Sequence, residues 1–166
     1  MEKRKEKFSI LILTIGIPGS GKSTWVKEYI KTHPLTHVVS TDTIRKELTG
    51  VEQCINPSQN QMIHDEARKR VKNILNSDDF IGFGPEIIVD STNCDVGEWI
   101  AYKNLGASII RAMIFECEPE QAVKNQEDRE RKVPLDIVRM KWNQLQESKK
   151  YLTKIFNMID TIHFNQ

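Results

Sequence analysis

Apolar runs alternate with amphipathic stretches along the whole chain. Residues 8–15 form an almost unbroken apolar run, the pattern of a parallel strand buried on both faces. Residues 22–32 read as a helix. A short strand follows at 36–40, then a helix at 43–48 capped by Asp42 or Thr43. Residues 58–76 predict a long polar helix with Met62, Ala67, Val71, Ile74 and Leu75 as its apolar positions and Pro57 and Ser58 at its start. Beyond a glycine-containing loop at 77–85, residues 86–90 predict a third buried strand. A helix at 96–105, a strand at 108–116, a helix at 119–129, an amphipathic helix at 135–152 and a short strand at 161–164 complete the series. Such alternation predicts an α/β fold in three layers, a parallel sheet with helices on both faces. Ligands in such sheets bind at the carboxyl ends of the strands.

The first strand runs directly into Gly16-Ile17-Pro18-Gly19-Ser20-Gly21-Lys22-Ser23-Thr24, which fits the phosphate-loop pattern G-x-x-x-x-G-K-[ST] at every fixed position. Strand, glycine loop and helix come in the order that the motif requires. Backbone N–H groups of such a loop curl around phosphate oxygens, and the following helix turns its positive end to them. Gly16, Pro18, Gly19, Ser20, Gly21, Lys22, Ser23 and Thr24 are therefore the expected nucleotide contacts. Lys22 supplies an exposed, mobile cation for the β and γ oxygens, and the Ser23 hydroxyl a ligand for Mg²⁺. The implied cofactors are ATP, or another nucleoside triphosphate, and Mg²⁺.

Length and charge narrow the rest. The 166 residues predict a single domain with a flexible basic tail at 1–7. With 28% charged and 39% hydrophobic residues the composition is that of a globular protein, and a net charge of +1 confines any nucleic-acid contact to a local surface. The first apolar run is too short to span a membrane, so no membrane partner is expected. Cys54, Cys94 and Cys117 have no metal-ligand spacing and read as reduced thiols of a cytoplasmic protein. His33, His37 and His64 have no acid partner within sequence reach and read as surface or helix-end residues. Trp25, Trp99 and Trp142 lie on helices and read as core.

Three further segments carry candidate chemistry. Asp90 ends the third strand at the loop's edge of the sheet, where it can share Mg²⁺ with Ser23 or cap a turn with Ser91, Thr92 and Asn93. Asn93 can orient substrate or cap the next helix. Asp42 follows the second strand with Arg45 one helical turn on. That pair suits a base for an attacking hydroxyl and an anion grip on the acceptor, or a helix cap with a surface ion pair. The charge-dense segment 125–134 reads as a solvated turn or as a lid whose Arg129 and Arg131 close over the donor.

Taken together these segments resemble the 5′-hydroxyl kinase domain of phage-type polynucleotide kinases, among the small phosphate-loop kinases that include zeta toxins. The resemblance covers nearly the whole chain. Residues 16–25 match the family loop, Trp25 included. Asp42-Thr43-Ile44-Arg45 matches its D-x-x-R, and Asp90-Ser91-Thr92-Asn93 is similar to its D-x-T-N. The stretch from Arg129 through Val133 and Pro134 to Val138 resembles its lid arginine followed by V-P-x-x-V. Thr41 and Asn125 depart from basic residues of the family's best-known members. The resemblance implies a helical lid at about 118–134 and transfer of the ATP γ-phosphoryl group to the 5′-OH end of RNA or DNA, as in nucleic-acid repair. Lys22, Asp42 and Arg129 are then catalytic, Asp42 as general base. Asp42, Arg45 and Asn93 bind substrate, Arg129 and Arg131 bind the donor, and Ser23 and Asp90 hold the metal. It also implies a phage-type, cytoplasmic origin. The D-x-D-x-T motif of a 3′-phosphatase partner is absent from the chain. Two alternatives use the same scaffold: a kinase of a small molecule, nucleotide sugar or modified base, and a nucleotide-dependent switch or motor ATPase.

Overall fold

The computed structural model describes residues 7–52, 57–80 and 83–163. Cys54, most of the basic tail and the end of the expected last strand lie outside them. Strands β1 (Ile10–Ile15), β2 (His37–Ser40), β3 (Glu86–Asp90), β4 (Ile109–Glu116) and β5 (Met158–His163) form one sheet. Its order is β2-β3-β1-β4-β5 and every pairing is parallel. Helices α1 (Lys22–Thr32), α2 (Thr41–Thr49), α3 (Pro57–Leu75), α4 (Val96–Lys103), α5 (Pro119–Lys124), α6 (Leu135–Ser148) and α7 (Leu152–Ile155) connect the strands.

Alternate residues of β1 point to opposite layers, as the period of two requires. Leu11, Leu13 and Ile15 join Ile63, Ala67 and Val71 of α3, Trp99 and Tyr102 of α4, and Val138 and Leu145 of α6. Ile12, Ile88, Met113 and Phe115 face Val26 of α1, with Trp25 and Tyr29 packed alongside. Each fully buried aliphatic side chain contributes roughly 1.5–3 kcal/mol, so the layer of α3, α4 and α6 carries most of the apolar stabilisation. Trp99 lies in the core, and Trp25 and Trp142 pack partly buried against it. Among the described residues no helix is long and apolar enough to cross a membrane.

Several expected boundaries move. The first strand begins at Ile10 because Ser9 bonds Ser108 at a loop crossing and Phe8 is 53% exposed. Ser40, not Asp42 or Thr43, caps α2, its Oγ accepting from Thr43 N, so Asp42 lies inside the first turn. On α3 the inward positions are Ile63, Ala67 and Val71, spaced by four, whereas Met62 is 44% exposed. The helix expected at 119–129 ends at Lys124, where Asn125 and Gln126 turn the chain over the glycine loop. The last long helix ends at Ser148, whose buried hydroxyl donates to Cys94 O and accepts from Val96 N. The final strand starts early because both backbone and side chain of Asn157 bond Ile110 and seed the register with β4.

Candidate active site

The strand order sets β1 between β3 and β4, so the glycine loop leaving β1 meets the carboxyl end of β3 directly. Gly16 N donates to Thr92 O at 2.9 Å. Gly19 and Gly21 adopt φ +87° and +96°, the left-handed region that side chains avoid. A Cβ on Gly19 would lie 2.1 Å from Ala122 O of α5, whereas one on Gly21 would meet nothing within 4 Å. Gly19→Ala should therefore cost clearly more than the roughly 1–2 kcal/mol of a left-handed residue, the figure expected for Gly21→Ala. Thermal melts of the two variants check this; equal losses would mean that α5 does not press on the loop.

Lys22 is buried rather than exposed. It keeps 8% of its surface, and Nζ donates to Ile17 O at 2.8 Å and to Ser20 Oγ at 3.4 Å. The loop thus curls around its own ammonium and presents it to the cleft. Burial pushes the Lys22 pKa down, while Cys94, Asp90 and Asp42 act the other way. Ser23 Oγ donates to Asp90 Oδ2 at 3.0 Å, uniting the two expected metal ligands. Burial raises the Asp90 pKa against the Ser23 bond and Lys22. Thr24 is exposed, and Ser20 is buried beneath the loop.

A cleft of about 470 Å³ opens from this loop toward α2, α3 and α6, lined on its floor by Lys22, Ser23, Asp90, Asp42 and Arg45. Arg45 is 5% exposed, and its guanidinium donates to Asp42 Oδ1 at 2.7 Å, Glu52 O at 3.3 Å and Asn60 Oδ1 at 3.3 Å. A buried cation needs such partners to offset its desolvation. Arg131 reaches across the cleft mouth to the same Asp42 oxygen, 2.8 Å away. Arg129 lines the cleft and has no side-chain hydrogen bond among the described residues.

Asn93 is held elsewhere. It is 2% exposed at φ 45°, and its amide donates to Thr14 O at 2.8 Å and Val89 O at 3.4 Å. Its backbone carbonyl accepts from Trp99 Nε1 at 2.6 Å. It ties the ends of β1 and β3 to α4, whose cap is Asp95. Two groups escaped the sequence reading. Asn125 Nδ2 donates to Gly19 O at 3.0 Å, pinning the α5 turn on the glycine loop. His64 lines the cleft and has an acid neighbour, Glu98 Oε2 at 3.7 Å. Residues 60, 64 and 45 would have pointed to it only if the packing of α2 on α3 were known.

A parallel sheet of this order, with a G-x-x-x-x-G-K-S loop at the end of its central strand, defines a phosphate-loop nucleotide-binding protein. Residues 11–152 match the family model AAA_33, described as an AAA domain, and the chain belongs to that family. It is 28% identical over 124 residues to the "Putative bifunctional polynucleotide phosphatase/kinase" of Acanthamoeba polyphaga mimivirus, a match covering 72% of this chain and 24% of that one. The chain thus spans about a quarter of this curated relative. Among solved structures it superposes on a chain of the Pnkp1/Rnl/Hen1 RNA repair complex with a TM-score of 0.73 at 22% identity, over 92% of this chain and 49% of that one. A gluconokinase from Sinorhizobium meliloti 1021 follows at 0.65 and 11% identity, covering 96% of this chain and 85% of that one. A shikimate kinase from Acinetobacter baumannii, in complex with shikimate, gives 0.60 and 12% over 97% and 86%. The curated relative is named for a kinase activity, two of these structural neighbours are kinases, and the structural neighbours share the three-layer fold expected from the sequence.

Proposed function

We propose that the chain is an ATP-dependent kinase that transfers the γ-phosphoryl group to the 5′-hydroxyl of RNA or DNA. The observation that carries this reading is the Asp42–Arg45 pair, a carboxylate and a buried guanidinium 2.7 Å apart in the same cleft as the phosphate loop. A kinase needs a base for the attacking hydroxyl, and an acceptor bearing its own phosphate needs a cation beside that base. The mimivirus relative, named for polynucleotide phosphatase and kinase activities, supports the same acceptor class.

In this mechanism Gly16, Pro18, Gly19, Ser20, Gly21 and Thr24 shape the donor site, and Lys22 neutralises charge on the β and γ oxygens. Asp42 accepts the proton of the 5′-hydroxyl as its oxygen bonds to the γ phosphorus and the bond to the β-phosphate oxygen breaks, releasing ADP. Arg45 holds the acceptor's phosphate. Segment 118–134 acts as the lid, with Arg129 over the transferring group. Arg131, which now shares Asp42 with Arg45, gives up that carboxylate as the acceptor enters. Ser23 and Asp90 offer a hydroxyl and a carboxylate together, the hard oxygen set that suits Mg²⁺. Among the described residues no group of three or more acidic, His or Cys side chains is placed to hold a metal ion, so most of that ion's ligands would be phosphate and water oxygens. When bound, Mg²⁺ neutralises charge between the β- and γ-phosphates. Asn93 acts by positioning the β1 and β3 ends beneath the site.

The test is incubation with γ-labelled ATP, Mg²⁺ and a panel of 5′-OH oligonucleotides, nucleosides, nucleoside 3′-monophosphates and sugars. A nucleoside 3′-monophosphate should be a far better acceptor than the bare nucleoside. A charge-assisted contact contributes about 1.5–3 kcal/mol, so Arg45→Ala should erode that preference roughly 10- to 150-fold. The ratio of the two acceptors is the quantity to measure, because loss of a buried arginine also lowers stability. Labelling of sugars alone would replace the polynucleotide reading with the small-molecule one.

A further inference from the structure

His64 lines the cleft, and the mechanism above assigns it no role. It lies on α3 one turn beyond Asn60, whose Oδ1 accepts from Arg45 at 3.3 Å, so the ring stands beside the guanidinium. Its side chain is 18% exposed and lines the cleft, while Nδ1 is buried with no hydrogen-bond partner among the described residues. Nε2 is the nitrogen left to the cleft.

The surroundings set the state of the ring. Burial pushes its pKa below the ordinary value; Glu98 of α4 opposes this, and Arg68 of α3, Lys141 of α6 and Arg45 of α2 add to it. The imidazole is therefore neutral near pH 7, with its proton on one nitrogen. Nδ1 faces the Glu98 carboxylate at 3.7 Å, and Arg68 holds that carboxylate in place at 2.8 Å. A lone pair on Nδ1 would point at negative charge, whereas an N–H is attracted to it. The proton belongs on Nδ1, and Nε2 turns a lone pair to the cleft. The cations of Arg45 and Lys141, which act on the ring, can only donate and so favour a lone pair on Nε2. His64 thus supplies a hydrogen-bond acceptor next to the cation that would hold the acceptor's 3′-phosphate. On a ribonucleotide the hydroxyl on the carbon adjacent to that phosphate is the 2′-OH, and DNA lacks it.

We propose that His64 Nε2 accepts a hydrogen bond from the 2′-hydroxyl of the acceptor's 5′-terminal ribose and makes the site selective for RNA ends over DNA ends. This rests on the polynucleotide reading of the cleft. The experiment measures kcat/KM with γ-labelled ATP for three acceptors: a ribonucleoside 3′-monophosphate, its 2′-deoxy form and its 2′-fluoro form. The ribose form should be favoured by up to about tenfold, the value of one net hydrogen bond. The 2′-fluoro form should behave like the deoxy form, because fluorine has no proton to donate. His64→Phe, which keeps the ring's bulk, should bring the ratio of ribose to deoxy to about one. Each ratio comes from a single preparation, so a partly misfolded variant leaves it unchanged. Equal use of ribose and deoxy acceptors overturns the proposal, as does a 2′-fluoro form as good as the ribose one or a preference that survives His64→Phe. In those cases the 5′-hydroxyl kinase reading stands, provided the 3′-phosphate preference is kept. Labelling of none of the three sinks both.

Discussion

Lys22→Ala is expected to lower phosphoryl transfer by at least about 10²–10³-fold, the usual effect of removing one preorganised donor from developing charge. The structure adds a reason beyond charge. The ammonium is already clasped by Ile17 O and Ser20 Oγ, so it meets the phosphates without first being ordered. Its burial also predicts how the fold responds. The alanine variant loses about 1 kcal/mol of hydrogen bonding but no longer buries a cation. Its thermal midpoint should move by only a few degrees. Transfer of label from γ-labelled ATP, with a melt on the same sample, checks both. Near-normal turnover would mean that the loop is not the donor site.

Asp42→Asn should keep nucleotide binding and lose about 10²–10⁴-fold in transfer, the range of general-base catalysis. Position in sequence left this aspartate between two roles, catalytic base and helix cap. The cap of α2 is Ser40, so a neutral amide at 42 removes no cap. It does weaken the hold on Arg45 and Arg131, which both donate to Asp42 Oδ1. Asp42 is 59% exposed while Arg45 is only 7% exposed, but an amide at 42 still offers an oxygen to the guanidinium, which Glu52 O and Asn60 Oδ1 also hold, so the fold loses little. A variant with a near-unchanged melt, normal nucleotide affinity and lost turnover is therefore expected. Full turnover in Asp42→Asn would leave the carboxylate a structural role only and remove the carrying observation for the kinase reading.

The two variants differ in how far the chain alone foretold them. The donor loop is nine contiguous residues whose chemistry is local: glycines for left-handed turns, a lysine, a hydroxyl. Its flanks are legible too, because a doubly buried strand has to be apolar throughout and an amphipathic helix has to repeat near 3.6. The proposed acceptor side is spread over α2, α3, α6 and the turn after α5, and no single stretch announces it. Asn125 illustrates the difference. Its sequence position marks it only as a departure from a basic residue, whereas in the structure its amide fastens the turn to Gly19 across 106 positions.

By itself, then, the sequence determined the alternation of strands and helices, the parallel three-layer class and the phosphate loop with Ser23 and Asp90 at one edge of the sheet. Each follows from residues near one another in the chain, where periodicity and turn chemistry act directly. Only the tertiary structure decided the order β2-β3-β1-β4-β5, the burial of Lys22, the sharing of Asp42 by Arg45 and Arg131, and the placing of His64 against Glu98. Arg131 and Asp42 are 89 positions apart, and no local pattern encodes such a pairing. It arises because packing α2 on α3 and α5 on α6 carries the first turn of α2 and the turn after α5 to a common cleft.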